Sequence, residues 1–194
     1  MNGDGSTRGR LLVAAPTLVD PNFHRTVVLM IEHNADGALG VVLNRPTATA
    51  LTEILEAWGE HAIAPGVVFL GGPVETDGMI GVARAVVDLD PDHDHDDPPG
   101  TVGLWPGVVT VDLSGPPTEG LLERIRGLRA FVGYAGWGPG QVEGEIAEGA
   151  WFVVDRAPED LWSARPASLW SEVLRRQSGR IAQFAHAPTD PTVN

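Results

Sequence analysis

The chain has 194 residues, with 26 acidic and 13 basic side chains and a formal net charge of −13. All 13 basic residues are arginine, and neither lysine nor cysteine occurs. That composition excludes phosphate-loop and Schiff-base lysines, disulfides, thiol catalysis and cysteine-ligated zinc. An acidic field of this size repels phosphate backbones, and a hydrophobic content of 43% fits one ordinary soluble domain with a sizeable core.

The first segment, MNGDGSTRGR, is polar and has no apolar stretch of the signal-peptide kind, so residues 1–8 read as a loose tail. Leu11 to Ala15 is a short apolar run of the buried-strand kind, stopped by Pro16. Asp20-Pro21-Asn22 is a turn signal. Thr26 to Glu32 is β-branched and nearly continuous, which predicts a strand buried on both faces. Asn34 to Gly37 reads as a hairpin turn, Leu39 to Leu43 as the returning strand, and Asn44-Arg45-Pro46 as its end.

Leu51, Ile54, Leu55 and Trp58 are spaced for a helix that stops at Gly59. Strands are predicted at Val67–Leu70, broken by Gly71-Gly72-Pro73, at Met79–Val87 and at Val108–Leu113. Residues 88–100, DLDPDHDHDDPPG, are predicted to form a solvated acidic loop. Pro116-Pro117-Thr118 leads into a predicted helix over residues 119–128. Arg124, Arg126 and Arg129 cluster around its end and read as a solvated helix face or as favourable charge near the helix C-terminus. A strand at Ala130–Tyr134 then runs into a glycine-rich corner and a short helical segment beginning at Gln141. A strand at Trp151–Val154, a helical turn at Pro158–Trp162 and a helix at Ala167–Gln177 follow, with residues 187–194 as a frayed tail. No repeat or linker interrupts residues 9–186, which predicts a single domain of mixed strands and helices.

Three motifs stand in order along the chain: GRLLVAAPTLVDPNFHRTVVLMIEHNADGALGVVLNRPT, GGPV, and GYAGWGPGQVEGEI with a tryptophan after it. From Gly9 to about Trp170 the sequence resembles the YqgE/AlgH family of bacterial proteins. The resemblance implies an α+β fold, a single compact domain with strongly bent mixed β-sheets flanked by helices. It also implies a family with no established biochemical activity, to which a transcriptional-regulator role is attached by description. The family motif positions fall on residues that include Asp20, Phe23, Arg25, His33, Gly37, Asn44, Gly71, Gly72, Tyr134, Trp137, Gln141 and Trp151. After GGPV the sequence departs from its relatives. Where they tend to carry an aromatic-rich strand ending in Leu-His, it has Met79-Ile80-Gly81-Val82-Ala83.

The glycine corner, Gly138-Pro139-Gly140-Gln141, is the first candidate ligand site, because a strand ending in glycines before a helix lets backbone approach an anion. It imitates a dinucleotide fingerprint only loosely: the following segment is short, and Pro139 removes an N–H. The candidate ligand-binding set is Arg25, Asn44, Arg45, Tyr134, Trp137, Gly138, Gly140 and Gln141. Arg25 or Arg45 serves in it as an anion clamp, since the guanidinium fork matches carboxylate or phosphate. The competing structural reading packs the corner under Tyr134 and Trp137, pairs Arg25 with Asp20 or another acid, and has His33 and Asn34 cap the hairpin.

His93 to Asp97 invites a metal, but adjacent ligands in a solvated loop are poorly preorganised and predict only weak, opportunistic binding. G-x-S-x-G, the phosphate-loop motif and H-E-x-x-H do not occur, so no catalytic residue, metal or cofactor is assigned. The reading is a cytosolic regulatory or adaptor protein, with a protein partner or a small anionic ligand. The alternatives are a binder or enzyme using the glycine corner and a DNA-binding regulator, which the charge disfavours.

Overall fold

The computed structural model describes residues 5–86 and 100–188. Ten strands and six α-helices fall within them, with three short 3-10 turns. The strands are β1 (Leu11–Ala14), β2 (Val27–Asn34), β3 (Gly37–Val42), β4 (Pro46–Ala50), β5 (Val67–Leu70), β6 (Val74–Ala85), β7 (Thr101–Trp105), β8 (Val108–Asp112), β9 (Ile125–Trp137) and β10 (Trp151–Val154). The helices are α1 (Leu51–Ile54), α2 (Glu56–Gly59), α3 (Glu119–Leu122), α4 (Gln141–Ala147), α5 (Leu169–Arg175) and α6 (Gly179–Gln183).

The strands form one extended sheet in the order β10-β1-β2-β3-β9-β6-β8-β7, with β4 pairing β5 and β5 pairing β9 off that path. Each of these ladders is antiparallel except that of β5 with β9. β9 is the shared strand. It pairs with β6 from Ile125 to Tyr134, with β5 over Ala130–Val132 and with β3 over Ala135–Trp137.

Period-two alternation explains the continuous apolar runs, because the sheet is covered on both faces. Leu11 and Val13 of β1 join a core with Val27, Leu29 and Trp170, while Leu12 and Ala14 join a second with Val28, Met30 and Trp151. α5 covers the first face through Leu169, Trp170, Val173 and Leu174, and α4 covers the second through Val142. A third core gathers Leu51, Trp58, Leu121, Ile125 and Leu128 under α1, α2 and α3.

The tertiary ladders overrule several local signals. The predicted helix over residues 119–128 ends at Leu122, and Ile125 already begins β9. Ile125 and Leu128, spaced for a helix face, are instead buried beside Leu121 while their backbone pairs with β6. The predicted helix at 51–58 is two single turns divided at Leu55, whose φ of −132° and ψ of 77° are not helical. The C-terminal helix begins as a 3-10 turn at Pro166–Ser168 and is α-helical only from Leu169. β4, β7 and α6 lie where the sequence predicted no element. The candidate metal loop His93–Asp97 lies outside the described residues.

The hairpin turn requires glycine. Gly37 has φ 135°, and a Cβ there would stand 2.3 Å from the carbonyl oxygen of Trp137 on the neighbouring strand. Gly37→Ala is expected to cost about 2–4 kcal/mol in urea unfolding, from left-handed strain plus overpacking. Gly144, in α4, is the opposite case, because a Cβ there would meet no atom within 4 Å. Gly144→Ala is expected to gain up to about 1 kcal/mol in the same measurement.

Candidate functional site

The structure does not gather the eight predicted ligand residues into one site. At the glycine corner, Gly140 takes the left-handed conformation (φ 75°) just before α4. Gln141 turns inward on its own loop: its Oε1 accepts the N–H of Gly138 at 3.1 Å and its Nε2 donates to Glu145 Oε1 at 2.9 Å. The other oxygen of Glu145 accepts both indole N–H groups, from Trp137 at 3.0 Å and Trp151 at 2.8 Å. Phe23 stacks on Trp137 and meets Trp151 edge-on, with centroids 6.2 and 5.5 Å apart. The polar atoms of the corner thus hold α4 onto the sheet. Tyr134 donates its hydroxyl to Glu75 at 3.2 Å. The hollow beside it, about 430 Å³, is lined by Glu32 and Asp36, which disfavour an anion there.

Arg25, Asn44 and Arg45 do lie together at one end of the hairpin, as the antiparallel register requires, and they serve the chain itself. Arg25 has a positive φ of 54°. Asn44 braces that residue from both sides, donating Nδ2–H to the carbonyl of Arg25 at 2.8 Å and accepting the N–H of Val27 at 2.9 Å. The Arg25 guanidinium lies 3.9 Å from the Trp170 ring centre and donates to the carbonyls of Ala187 (2.9 Å) and Pro188 (3.3 Å). Its partners are therefore an indole face and the C-terminal backbone, not Asp20. Asp20 instead accepts the N–H of Asn22 at 2.8 Å, within the turn. Arg45 donates to the carbonyls of Pro21 and His24 at 2.8 and 3.4 Å. Burial lowers the pKa of both arginines from their ordinary value, with Asp20 opposing the shift at Arg45.

His33 also has an internal task. Its Nδ1 accepts the backbone N–H of Thr7 at 2.9 Å, which requires that nitrogen to be unprotonated, and Nε2–H then donates to Glu143 at 3.0 Å. The ring so ties the N-terminal segment to the end of β2 and to α4. Glu143 is held below the usual carboxylate range, first by a backbone hydrogen bond and then by His33.

A different concavity gathers positive charge. A cleft of about 620 Å³ is lined by Arg84, Arg126, Arg156, Trp105, Trp162 and Leu161 among others, and among the described residues no carboxylate lines it. Arg84 lies near the end of β6, Arg126 is on β9, Trp105 ends β7, and Arg156 and Trp162 come from the segment after β10. Each indole carries a guanidinium: Arg156 sits 4.1 Å from the Trp105 ring centre and Arg84 sits 4.9 Å from that of Trp162. A cation–π contact of this kind does not use up the N–H donors of the guanidinium. Arg156 commits one edge to the carbonyl of Gly9 at 2.9 Å.

Two acids of the segment after β10 are already paired. Asp155 accepts from Arg10 at 2.9 Å. Asp160, 3% exposed, accepts both terminal nitrogens of Arg176 and the N–H of Ala157, which fixes the turn that presents Leu161 and Trp162.

Behind the cleft lies a fourth cation. Arg129 is 1% exposed and has no acidic partner among the described residues. One terminal nitrogen donates to the carbonyls of Ala64 and Ser163, the guanidinium lies 4.7 Å from the Phe69 ring centre, and Nε and Nη1 find no partner there. Arg129 pairs with Val82 in the β6–β9 register, and Arg84, two residues on, shares that face. Burial first, and repulsion from Arg84 second, lower the Arg129 pKa to about 10. Because this folded value lies below the unfolded one, the charge opposes folding fully below about pH 10 and progressively less above it. At neutral pH it remains charged.

Sequence reading missed this cleft. In the sequence Arg84 is a single charge within the apolar run Met79–Val87, and Arg126 lies in a stretch with helical spacing. The usable signal was the pairing of tryptophans with arginines in a chain that has no lysine.

The protein is thus a mixed α+β protein built on a large, mainly antiparallel sheet, with solved counterparts of the same architecture. A crystal structure from Corynebacterium diphtheriae superposes with a TM-score of 0.82 at 29% identity, over 95% of this chain and 94% of that one. The solution structure of the AlgH protein from Pseudomonas aeruginosa gives 0.66 at 26% identity, over 97% and 98%. The chain belongs to the AlgH-like family, whose model matches residues 11–182. Relatives include a UPF0301 protein of Streptomyces avermitilis, 50% identical over 97% of this chain and 96% of its own length. A UPF0301 protein of Mycobacterium leprae is 40% identical over 96% and 90%. No helix of the described residues is long and apolar enough to cross a membrane.

The two indole N–H groups on Glu145 make it the expected weak point of the corner. Glu145→Ala should lower stability by about 2–4 kcal/mol in urea unfolding, as two partly buried donors lose their acceptor.

Proposed function

We propose that this protein works by binding and not by catalysis, as a regulatory or adaptor protein of the cytosol, and that it takes up a small anion in the arginine–tryptophan cleft. The observation that carries the reading is three guanidiniums around one cavity whose lining, among the described residues, holds no carboxylate. In a chain of net charge −13, such an island of positive charge is maintained against the surrounding field and attracts compact anions.

The glycine corner is the weaker candidate, because Gln141 and Glu145 satisfy each other, Gly138 and the two indoles. Direct DNA recognition has little physical support. Among the arginines near the hairpin, Arg25 and Arg45 are committed to backbone carbonyls, and the net charge opposes a polyanion.

Native mass spectrometry of protein isolated at low ionic strength from its own host tests the reading. The expected result is a bound small anion on the wild type that is lost from the Arg84→Gln/Arg126→Gln variant and kept by Gln141→Ala. A bare wild-type mass, or an anion retained by the double variant, would remove the cleft as the binding site.

A further inference from the structure

We infer that the ligand of the arginine–tryptophan cleft is an oligophosphate, an anion of two or more linked phosphates, gripped by guanidinium edges and not by a ring stacked on the indoles. The inference rests on the anion-binding reading of the same cleft. Its first support is the state of the indoles. Trp105 and Trp162 each already carry a guanidinium, at 4.1 and 4.9 Å from the ring centre, so a planar ligand would have to displace an arginine to stack on that face. A guanidinium over an indole keeps its N–H donors for a ligand.

The second support is donor supply. Among the described residues, neither Arg84 nor Arg126 has a hydrogen-bonding or ion-pair partner, and Arg156 spends one nitrogen on Gly9. The three come from β6, β9 and the segment after β10, so they approach the cavity from separate elements. A lone carboxylate satisfies one fork. Linked phosphates present several oxygens with two or more charges, and can be shared among forks from separate directions.

The third is the charge behind the wall. Arg129 is buried, has no counterion among the described residues and is repelled by Arg84. An anion against Arg84 offsets that repulsion in the folded state alone, so occupancy stabilises the fold, and more so for a more highly charged ligand. Size sets the upper limit. A cavity of about 620 Å³ takes a compact molecule, and the outer field repels a polymer. Leu161, Val108 and Pro158 add apolar lining, which accommodates an organic group attached to the phosphates.

The test is isothermal titration calorimetry of the full chain at low salt with phosphate, pyrophosphate, tripolyphosphate and citrate, together with melting temperatures. Affinity and thermal shift are expected to rise from phosphate to tripolyphosphate. Tripolyphosphate should bind at least roughly tenfold more tightly than citrate, a factor of the size that one added charge-assisted contact supplies. Arg84→Gln and Arg126→Gln should each weaken tripolyphosphate by about tenfold or more, because each removes a charged donor pair. Gln141→Ala should leave it unchanged. Citrate binding as tightly as tripolyphosphate, with the same arginine dependence, would leave the anion cleft standing and overturn the phosphate class. No binding by any anion, or binding that survives both arginine variants, would overturn the phosphate class and the cleft together.

Discussion

The fold depends on one strand that serves three neighbours. β9 must satisfy the backbone donors and acceptors of 13 residues, and it does so by pairing with β6, β5 and β3 in turn. The change of partner from β5 to β3 is made by Gly71-Gly72. The Gly71 N–H donates to the carbonyl of Val132 on β9, and its carbonyl accepts from Val42 at the end of β3, both at 2.8 Å. A Cβ on Gly71 would stand 2.2 Å from the carbonyl oxygen of Gly133, and one on Gly72 2.1 Å from the carbonyl carbon of Tyr134. Only glycine lets the chain pass this close. The GGPV motif therefore has a steric cause, and the polar ends of β2, β3 and α4 take their positions from the crossing it permits.

The motifs that make the family resemblance so plain turn out to be occupied with holding the chain together. Arg25 clamps the C-terminal backbone over Trp170, Asn44 braces the strained residue beside it, and Glu145 collects the indoles of Trp137 and Trp151. Polar groups that look available in a sequence are, in a compact domain, the ones best placed to satisfy buried donors and carbonyls. Guanidiniums with neither a hydrogen-bonding nor an ion-pair partner among the described residues lie elsewhere, Arg84 and Arg126 among them, beside a buried Arg129 whose cost is tolerated by the fold. Uncompensated charge in a concavity is a more direct sign of a ligand than a motif.

Membership of the AlgH-like family, and the agreement with two solved structures over nearly the whole chain, place the fold firmly and leave activity to be argued from the site. In that argument the stacked arginines matter most. They bring a basic surface to an acidic protein without any lysine, and the buried Asp160, paired with Arg176, holds the turn on which one wall of the cleft stands.

Much was legible in the sequence where local pattern and tertiary demand agreed. The β2–β3 hairpin, β1, β5, β8 and β10 follow from apolar runs punctuated by glycine, proline and asparagine, because such runs leave a buried strand as the only way to hide their side chains. The family motifs likewise showed in the order of residues. The helix expected over 119–128 failed at Ile125, since helical spacing and a strand that buries both faces place apolar residues in ways that a short stretch cannot distinguish. Arg129 read as a solvated cation and is buried, because only its pairing with Val82 decides which way it points. The cleft was out of reach for the same reason. Arg84, Trp105, Arg126, Arg156 and Trp162 are far apart in the chain and share no spacing rule. The sequence by itself determined the β2–β3 hairpin, the strands β1, β5, β8 and β10, and the family; the meeting of these five side chains was decided only by the sheet that folds their backbones together.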